Sequence, residues 1–300
     1  MIKLIRNWAL PISILLGILG QSVFIHFSFL TPYFIFAMLF LTYCKINLSD
    51  IRLRQWHFWL LIIQLFASLV SYFALREIDN LIAQSMMLCI ICPTATAASV
   101  ITMKLGGNAS SIATYTLLSN ALAAMFIPIV FPLVEIHDDM GFMSSIATIL
   151  SKVLPVLILP FVVSLILRWI SPKTNTEIGK HSGMAFYLWA LSLIIVTAKT
   201  TNWLINSDTS GVVEIGIGIA SLIVCVLQFI IGRKLGKVYG ETITVGQALG
   251  QKNTIFAIWV GQTYLNPTSA IAPGMYVLWQ NTINSYQLWK ARKEAEKTIS

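Results

Sequence analysis

Gly246-Gln247-Ala248-Leu249-Gly250-Gln251-Lys252-Asn253-Thr254 is a polar patch in the middle of an otherwise apolar span. A lysine near a bilayer midplane costs about 2.5–3.5 kcal/mol on insertion scales and more in simulations, so such a charge normally faces a cavity and has a task there. Two glycines and a run of amides beside Lys252 mark a helix that breaks at this point. A broken helix with a cation at its break is one way for a membrane carrier to hold an anion.

The rest of the chain supplies the membrane. Its 300 residues are 57% hydrophobic and 11% charged, with a mean hydropathy of +0.78. A soluble domain does not carry that much apolar surface. Long apolar runs between short charged loops predict transmembrane helices of about 20 residues each. They fall near 8–25, 30–46, 58–75, 82–103, 109–134, 150–170, 184–204, 211–232, 243–264 and 268–289. Helices are required because lipid offers the backbone no hydrogen-bond partner. The predicted fold is an all-α polytopic membrane protein with ten transmembrane helices, forming a single membrane transporter domain over 1–300.

The net charge of +8 does not point to nucleic acid. Lys and Arg gather at the N-terminus (Lys3, Arg6), in even-numbered loops (Lys45, Arg52, Arg54, Lys104, Arg168, Lys173, Lys180, Arg233, Lys234, Lys237) and in the tail (Lys290, Arg292, Lys293, Lys297). The odd loops hold Arg76, Lys199 and Lys152 against Glu77, Asp79, Glu135, Asp138, Asp139 and Asp208. The positive-inside rule then puts both termini in the cytoplasm. The compact chain suggests a bacterial inner membrane. The apolar stretch after Met1 imitates a signal peptide, but it lacks a small-x-small cleavage site and contains Pro11, so it reads as a retained first helix. Cys44, Cys89, Cys92 and Cys225 lie in or beside predicted helices without metal spacing and read as reduced packing residues. Paired acids, a histidine cluster and an activated nucleophile are all missing, which argues against an enzyme. No cofactor is expected.

Five helices per half make the second half enter from the opposite side, a 5+5 inverted repeat over 1–136 and 149–290. Pro93 precedes Asn108 by 15 residues, as Gln251 precedes Asn266. Both asparagines stand where a cap belongs, ahead of helices five and ten. Pro93 removes a backbone donor and Gly250 permits unusual dihedrals. Two kinked helices packed through small residues would also fit. The paired, in-register placement favours crossed discontinuous helices four and nine.

At these residues the chain resembles the bile acid:sodium symporter family. That family's Cys-Pro-Gly-Gly-Thr-Ala-Ser-Asn-Val motif in helix four is matched in part by Cys92-Pro93-Thr94-Ala95-Thr96-Ala97-Ala98-Ser99-Val100. Its Gly-Asn lead into a Ser/Thr-rich helix five is similar to Gly107-Asn108 through Thr116 and Ser119-Asn120. Its Glu-x-Gly-x-Gln-Asn pattern in helix nine is similar to Ala248 through Asn253. Trp279-Gln280-Asn281 looks like its helix-ten element, and Gln64 like its helix-three glutamine. The resemblance implies a ten-helix fold with panel and core domains, sodium at the crossing, and transport of organic anions. A distant branch exports arsenite.

The departures bear on coupling. Ala248 stands where the family's sodium-binding glutamate would be, and Lys252 replaces a glutamine ligand. Ala98-Ser99 replaces Ser-Asn, and Ile112 replaces one hydroxyl while Thr116 keeps the other. Two sodium sites of the family kind are therefore not expected, and Lys252 could take the ion's place. If it stays charged, the protein is a uniporter or exchanger; if burial lets it titrate, proton coupling follows, with Glu214 as the one nearby intramembrane acid, which reads first as an interfacial glutamate near the outer surface and second as a partner or proton relay. The residues expected to bind substrate or ion are Lys252, Asn253, Gln251, Gln247, Ser99, Thr96, Thr94, Thr116, Asn120, Gln64 and Asn281, with no metal centre. The expected partners are a small organic anion and the lipid bilayer; oligomeric state is left open. An anion channel is a weaker alternative, because polar residues concentrate at two points rather than along a stripe. An arsenite-type carrier is the closer one, although cysteine precedes Pro93 here instead of following it.

Overall fold

The computed structural model describes residues 2–135, 141–206 and 209–299. Among them there are helices and no named strand. In chain order the helices are α1 (Ile2–Leu19), α2 (Gln21–Phe24), α3 (Thr31–Lys45), α4 (Gln55–Leu75), α5 (Asn80–Ile91), α6 (Ala98–Lys104), α7 (Ala109–Val134), α8 (Phe142–Leu157), α9 (Leu159–Ile170), α10 (Pro172–Lys180), α11 (Ala185–Asn206), α12 (Gly211–Val238), α13 (Thr242–Gly250), α14 (Thr254–Tyr264) and α15 (Ile271–Ile299). This is an all-helical polytopic membrane protein. Of the loop acids used above for orientation, Asp138, Asp139 and Asp208 lie outside the described residues.

Among the described residues, five helical stretches are long and apolar enough to cross a membrane: Gln21–Lys45, Gln55–Leu75, Ala109–Val134, Ser182–Asn206 and Gly211–Val238. The α8–α9 pair, bent by 42°, makes a sixth if read as one span. The stretches expected at 82–103 and 243–264 are each divided in two, by breaks after Ile91 and after Gly250. Their pieces are too short to pass alone. Two features have no counterpart among the expected spans. α10 is a polar helix between α9 and α11, and α15 continues well past residue 289 as a charged helix.

The chain forms two compact units. The first comprises Met1–Ile46, Ala123–Glu214 and Ile255–Ile271. In it α1 packs on α11, and α3 is flanked by α9, α10 and α11. The last carbonyls of a helix need outside donors. Arg168 of α9 donates to Ile46 O (2.5 Å), and Asn175 of α10 donates to Cys44 O (3.2 Å), so α9 and α10 cap the end of α3.

The second unit comprises Asn47–Leu122, Ile215–Thr254 and Ala272–Ser300. Asp79 caps α5 by accepting from Ile82 N (2.9 Å), and Asn108 caps α7 by accepting from Ser111 N (3.0 Å). α12 and α13 lie backbone against backbone. A Cβ at Gly232 would come within 2.6 Å of Val245 O, and one at Gly236 within 2.7 Å of Glu241 O. Only glycine permits that approach, and it fixes the line along which α13 runs towards its break.

Candidate functional site

The two breaks meet in the second unit. Thr94 and Lys252 form an isolated antiparallel bridge. Asn253 N donates to Pro93 O (2.8 Å), and Ala95 N donates to Gln251 O (3.1 Å). Each unwound segment thus serves as a one-residue strand for the other. All of the second-unit side chains expected here except Thr96, Ser99, Asn253 and Asn281 are buried.

A break leaves helix carbonyls without their donors four residues on, and most of them have a substitute donor. Pro93 has no N–H for Cys89 O; Gln228 Nε2 stands in at 3.4 Å. Thr94 N turns to Ser119 Oγ (3.1 Å), which frees Ile90 O, and Lys252 Nζ donates there at 2.8 Å. Ala95 N turns to Gln251 O, which frees Ile91 O, and Gln64 Nε2 donates there at 2.7 Å. Cys92 O receives both Lys252 Nζ and Gln64 Nε2, each at 3.1 Å. On the other break, Lys252 N turns to Gln280 Oε1 (2.9 Å), which frees Ala248 O for Thr94 Oγ1 (2.7 Å). Gly250 O accepts from Tyr276 OH (2.8 Å).

Lys252 therefore caps the C-terminus of α5. The last carbonyls of a helix are the negative pole of its dipole, so the ammonium meets partial negative charge as well as two acceptors. Its side chain is only 2% exposed. The ion pairs among the described residues lie elsewhere: Arg54–Glu241, Arg76–Glu77, Lys180–Glu177 and Lys290–Glu294.

The other expected residues divide by their partners. Gln251 donates to Gln247 Oε1, and Gln247 donates to Gln287 Oε1 (2.8 Å). Thr116 Oγ1 donates to Ile112 O and Asn120 Nδ2 to Thr116 O, both at 2.9 Å and both within α7. Ser99 Oγ donates to Thr96 O (3.1 Å) at the start of α6. Asn281 Nδ2 donates to Val277 O (2.6 Å) on its own helix, so its recorded bond is not to the crossing. Gln228 and Tyr276 were not among the expected residues. The signal for Gln228 was Pro93 itself, since a buried proline obliges some side chain to serve the carbonyl four residues back.

Gln64 offers the most direct test of this bookkeeping. It serves two freed carbonyls and accepts from Tyr115 OH (3.0 Å). Gln64→Leu leaves Ile91 O without a donor and Tyr115 OH without an acceptor, at about 1–3 kcal/mol each, while Cys92 O keeps Lys252 Nζ. A substantially lower unfolding midpoint is expected, with Gln64→Glu falling between leucine and wild type. A leucine variant as stable as wild type would mean that the break does not depend on this amide.

Ala98, Ile112 and Ala248 come together in one buried apolar cluster with Trp56, Leu60, Tyr115, Val245 and Leu249. Hydrocarbon surrounds all three positions.

A polytopic helical protein whose two broken helices exchange backbone hydrogen bonds at a buried polar point has the build of a secondary transporter. The sodium bile acid symporter family model matches residues 32–207, more than half of the chain, and the chain belongs to that family. Its members are solute transporters. No curated protein matches the chain.

Proposed function

We propose that this protein is a ten-span secondary carrier of a small organic anion that runs without the family's two sodium ions, with the Lys252 ammonium in the place of one. The helix order supports ten spans if α5–α6 and α13–α14 each count as one broken span, α8–α9 as one bent span, and α1 and α15 as the outermost. The two five-span halves are then related by inversion, as Asn108 and Asn266 suggest: each accepts from the backbone just ahead of the next span, Asn108 from Ser111 N and Asn266 from Thr268 N (3.0 Å). Both termini are cytoplasmic in this reading, in a bacterial inner membrane.

The observation that carries the coupling argument is the seat of Lys252 Nζ on Ile90 O and Cys92 O. A sodium ion wants several hard oxygen donors and negative charge close by. At one position those oxygens already hold an ammonium. At the other, Ala98, Ile112 and Ala248 offer methyl and methylene groups. Thr96, Ser99 and Asn253 are half-buried beside the breaks and are the residues we assign to the solute. The anionic character of the solute rests on the resemblance to the family and on the fixed positive charge at the crossing.

Titrating the purified protein with sodium against potassium at constant ionic strength tests the reading. A ligand bound by the native state alone raises the unfolding free energy by about 2.7 kcal/mol at a hundred times its dissociation constant. The two salts are expected to give the same unfolding midpoint. Saturable stabilisation by sodium alone would overturn the proposal.

A further inference from the structure

A row of primary amides leads away from Lys252. Gln280 brackets its backbone, accepting from Lys252 N (2.9 Å) and donating to Lys252 O (3.4 Å). Gln251 donates to Gln247, and Gln247 to Gln287 of α15. Gln280, Asn284 and Gln287 fall at i, i+4 and i+7, one face of α15. Asn284 is 5% exposed, and its Oδ1 is buried without a protein donor. An acceptor buried at such a place calls for a donor. A buried water needs two to four polar partners, which the neighbouring amides can supply. An apolar ligand has nothing to offer there, and a cation would find no carboxylate among the amides.

We infer that Asn284 and the adjoining glutamines of α13 and α15 hold a short row of bound water molecules. This row reaches from the break at Lys252 towards the end of the unit where α13 begins. That end carries Arg233, Lys234 and Lys237 just before α13, and Lys290 on α15. The row gives solvent a way to the unwound segment that does not pass Thr96, Ser99 or Asn253. The Lys252 ammonium shares Cys92 O with the neutral amide of Gln64 from α4 and lies near the thiols of Cys89 in α5 and Cys92 just beyond it, while the Gln280 amide of α15 meets its backbone. The water row stands on the amides alone. Its consequence, proton exchange between Lys252 and solvent, rests on the reading of Lys252 as the charge of the site.

Hydrogen–deuterium exchange of the full-length protein in nanodiscs, followed over 247–255 by mass spectrometry, tests the row. Asn284→Leu removes the acceptor and fills its space. Exchange at Gln251, Lys252 and Asn253 is expected to slow by about tenfold, with no rise in the unfolding midpoint, while Asn284→Ser keeps the wild-type rate. Exchange that is unchanged or faster overturns the inference, because a merely destabilising substitution opens the segment. A raised midpoint overturns it too, because removing a dry, unpaired acceptor stabilises. Asn284→Cys provides a second reading should the leucine variant fail to fold. Methyl methanethiosulfonate is expected to modify it in the native protein well ahead of the four buried native cysteines, and a thiol there as inert as they are would count against a water row. None of these readouts involves sodium, so a sodium-coupled outcome above would leave this result independent.

Discussion

Lys252→Ala is expected to destabilise the protein more than any other single truncation at the crossing. The effects can be weighed. Deleting the buried aliphatic stem costs about 2–5 kcal/mol, as for other large-to-small core changes. Leaving Ile90 O without its donor adds about 1–3 kcal/mol, while Cys92 O keeps Gln64 Nε2 at 3.1 Å. Against this, the variant no longer buries an ammonium, which returns several kcal/mol. The return is limited because the native charge is already compensated by two acceptors at 2.8 and 3.1 Å and by the negative end of α5. The net loss is therefore on the order of 3 kcal/mol. Lys252→Met separates the parts: it keeps most of the stem and loses the donors, so it should fall between alanine and wild type. Propylammonium replaces the atoms that Lys252→Ala removes. It is expected to stabilise that variant saturably and to leave wild type unaffected. An alanine variant of wild-type stability, indifferent to the amine, would show that Ile90 O finds another donor and that the lysine is not an integral cation.

The parts of this arrangement that were legible in the sequence are those with a local chemical cause. Pro93 cannot donate to the carbonyl four residues back, Gly250 tolerates a helix end, and a lysine among apolar residues needs acceptors. Each of the three marks a break without any knowledge of tertiary contacts. Asn108 and Asn266 were legible as caps because a cap is made within two or three residues of itself. The donors were harder. Gln228 and Tyr276 serve Cys89 O and Gly250 O from helices distant in sequence, and nothing in their own neighbourhoods announces it. Asn281 shows the reverse case, since its place in a family-like triplet suggested the site while its amide bonds to Val277 O one turn back. The division into two interleaved units was not legible either. Each unit gathers three separate stretches of chain, and hydropathy reports membrane depth rather than neighbours. The departures from the family pattern at Ala98, Ile112 and Ala248 could be read residue by residue, but that the three share one apolar cluster is a fact of packing.

The interface of α12 with α13 decides where the second break lies, and Gly232→Val is expected to disrupt it. Val245 O would sit 2.6 Å from the new Cβ, with Gly246 Cα at 3.0 Å and Leu249 Cβ at 3.2 Å. Two of these three atoms belong to the backbone of α13, so no side-chain rotation relieves the clash and the helix itself must move. Overpacking of this kind costs about 1–3 kcal/mol, occasionally more, and the branched second and third carbons of valine put this case at about 3 kcal/mol or above. Gly218→Ala on the same helix is the control. Its Cβ would meet only the side chain of Met275, at Cγ and Cε, both at an ordinary 3.9 Å. Replacing a helical glycine by alanine is favourable by about 0.5–1 kcal/mol where the space allows, so this variant should match or slightly exceed wild type. The displacement in Gly232→Val also has a local consequence. α13 carries Ala248 O and leads directly into Gln251 and Lys252, so pushing it from α12 must disturb the bonds from Thr94 Oγ1 and Ala95 N (2.7 and 3.1 Å). Faster amide exchange at 93–96 in Gly232→Val than in Gly218→Ala would register that disturbance at the opposite break. Equal exchange there, with the midpoint lowered, would mean that α12 sets the stability of the unit but not the geometry of its crossing.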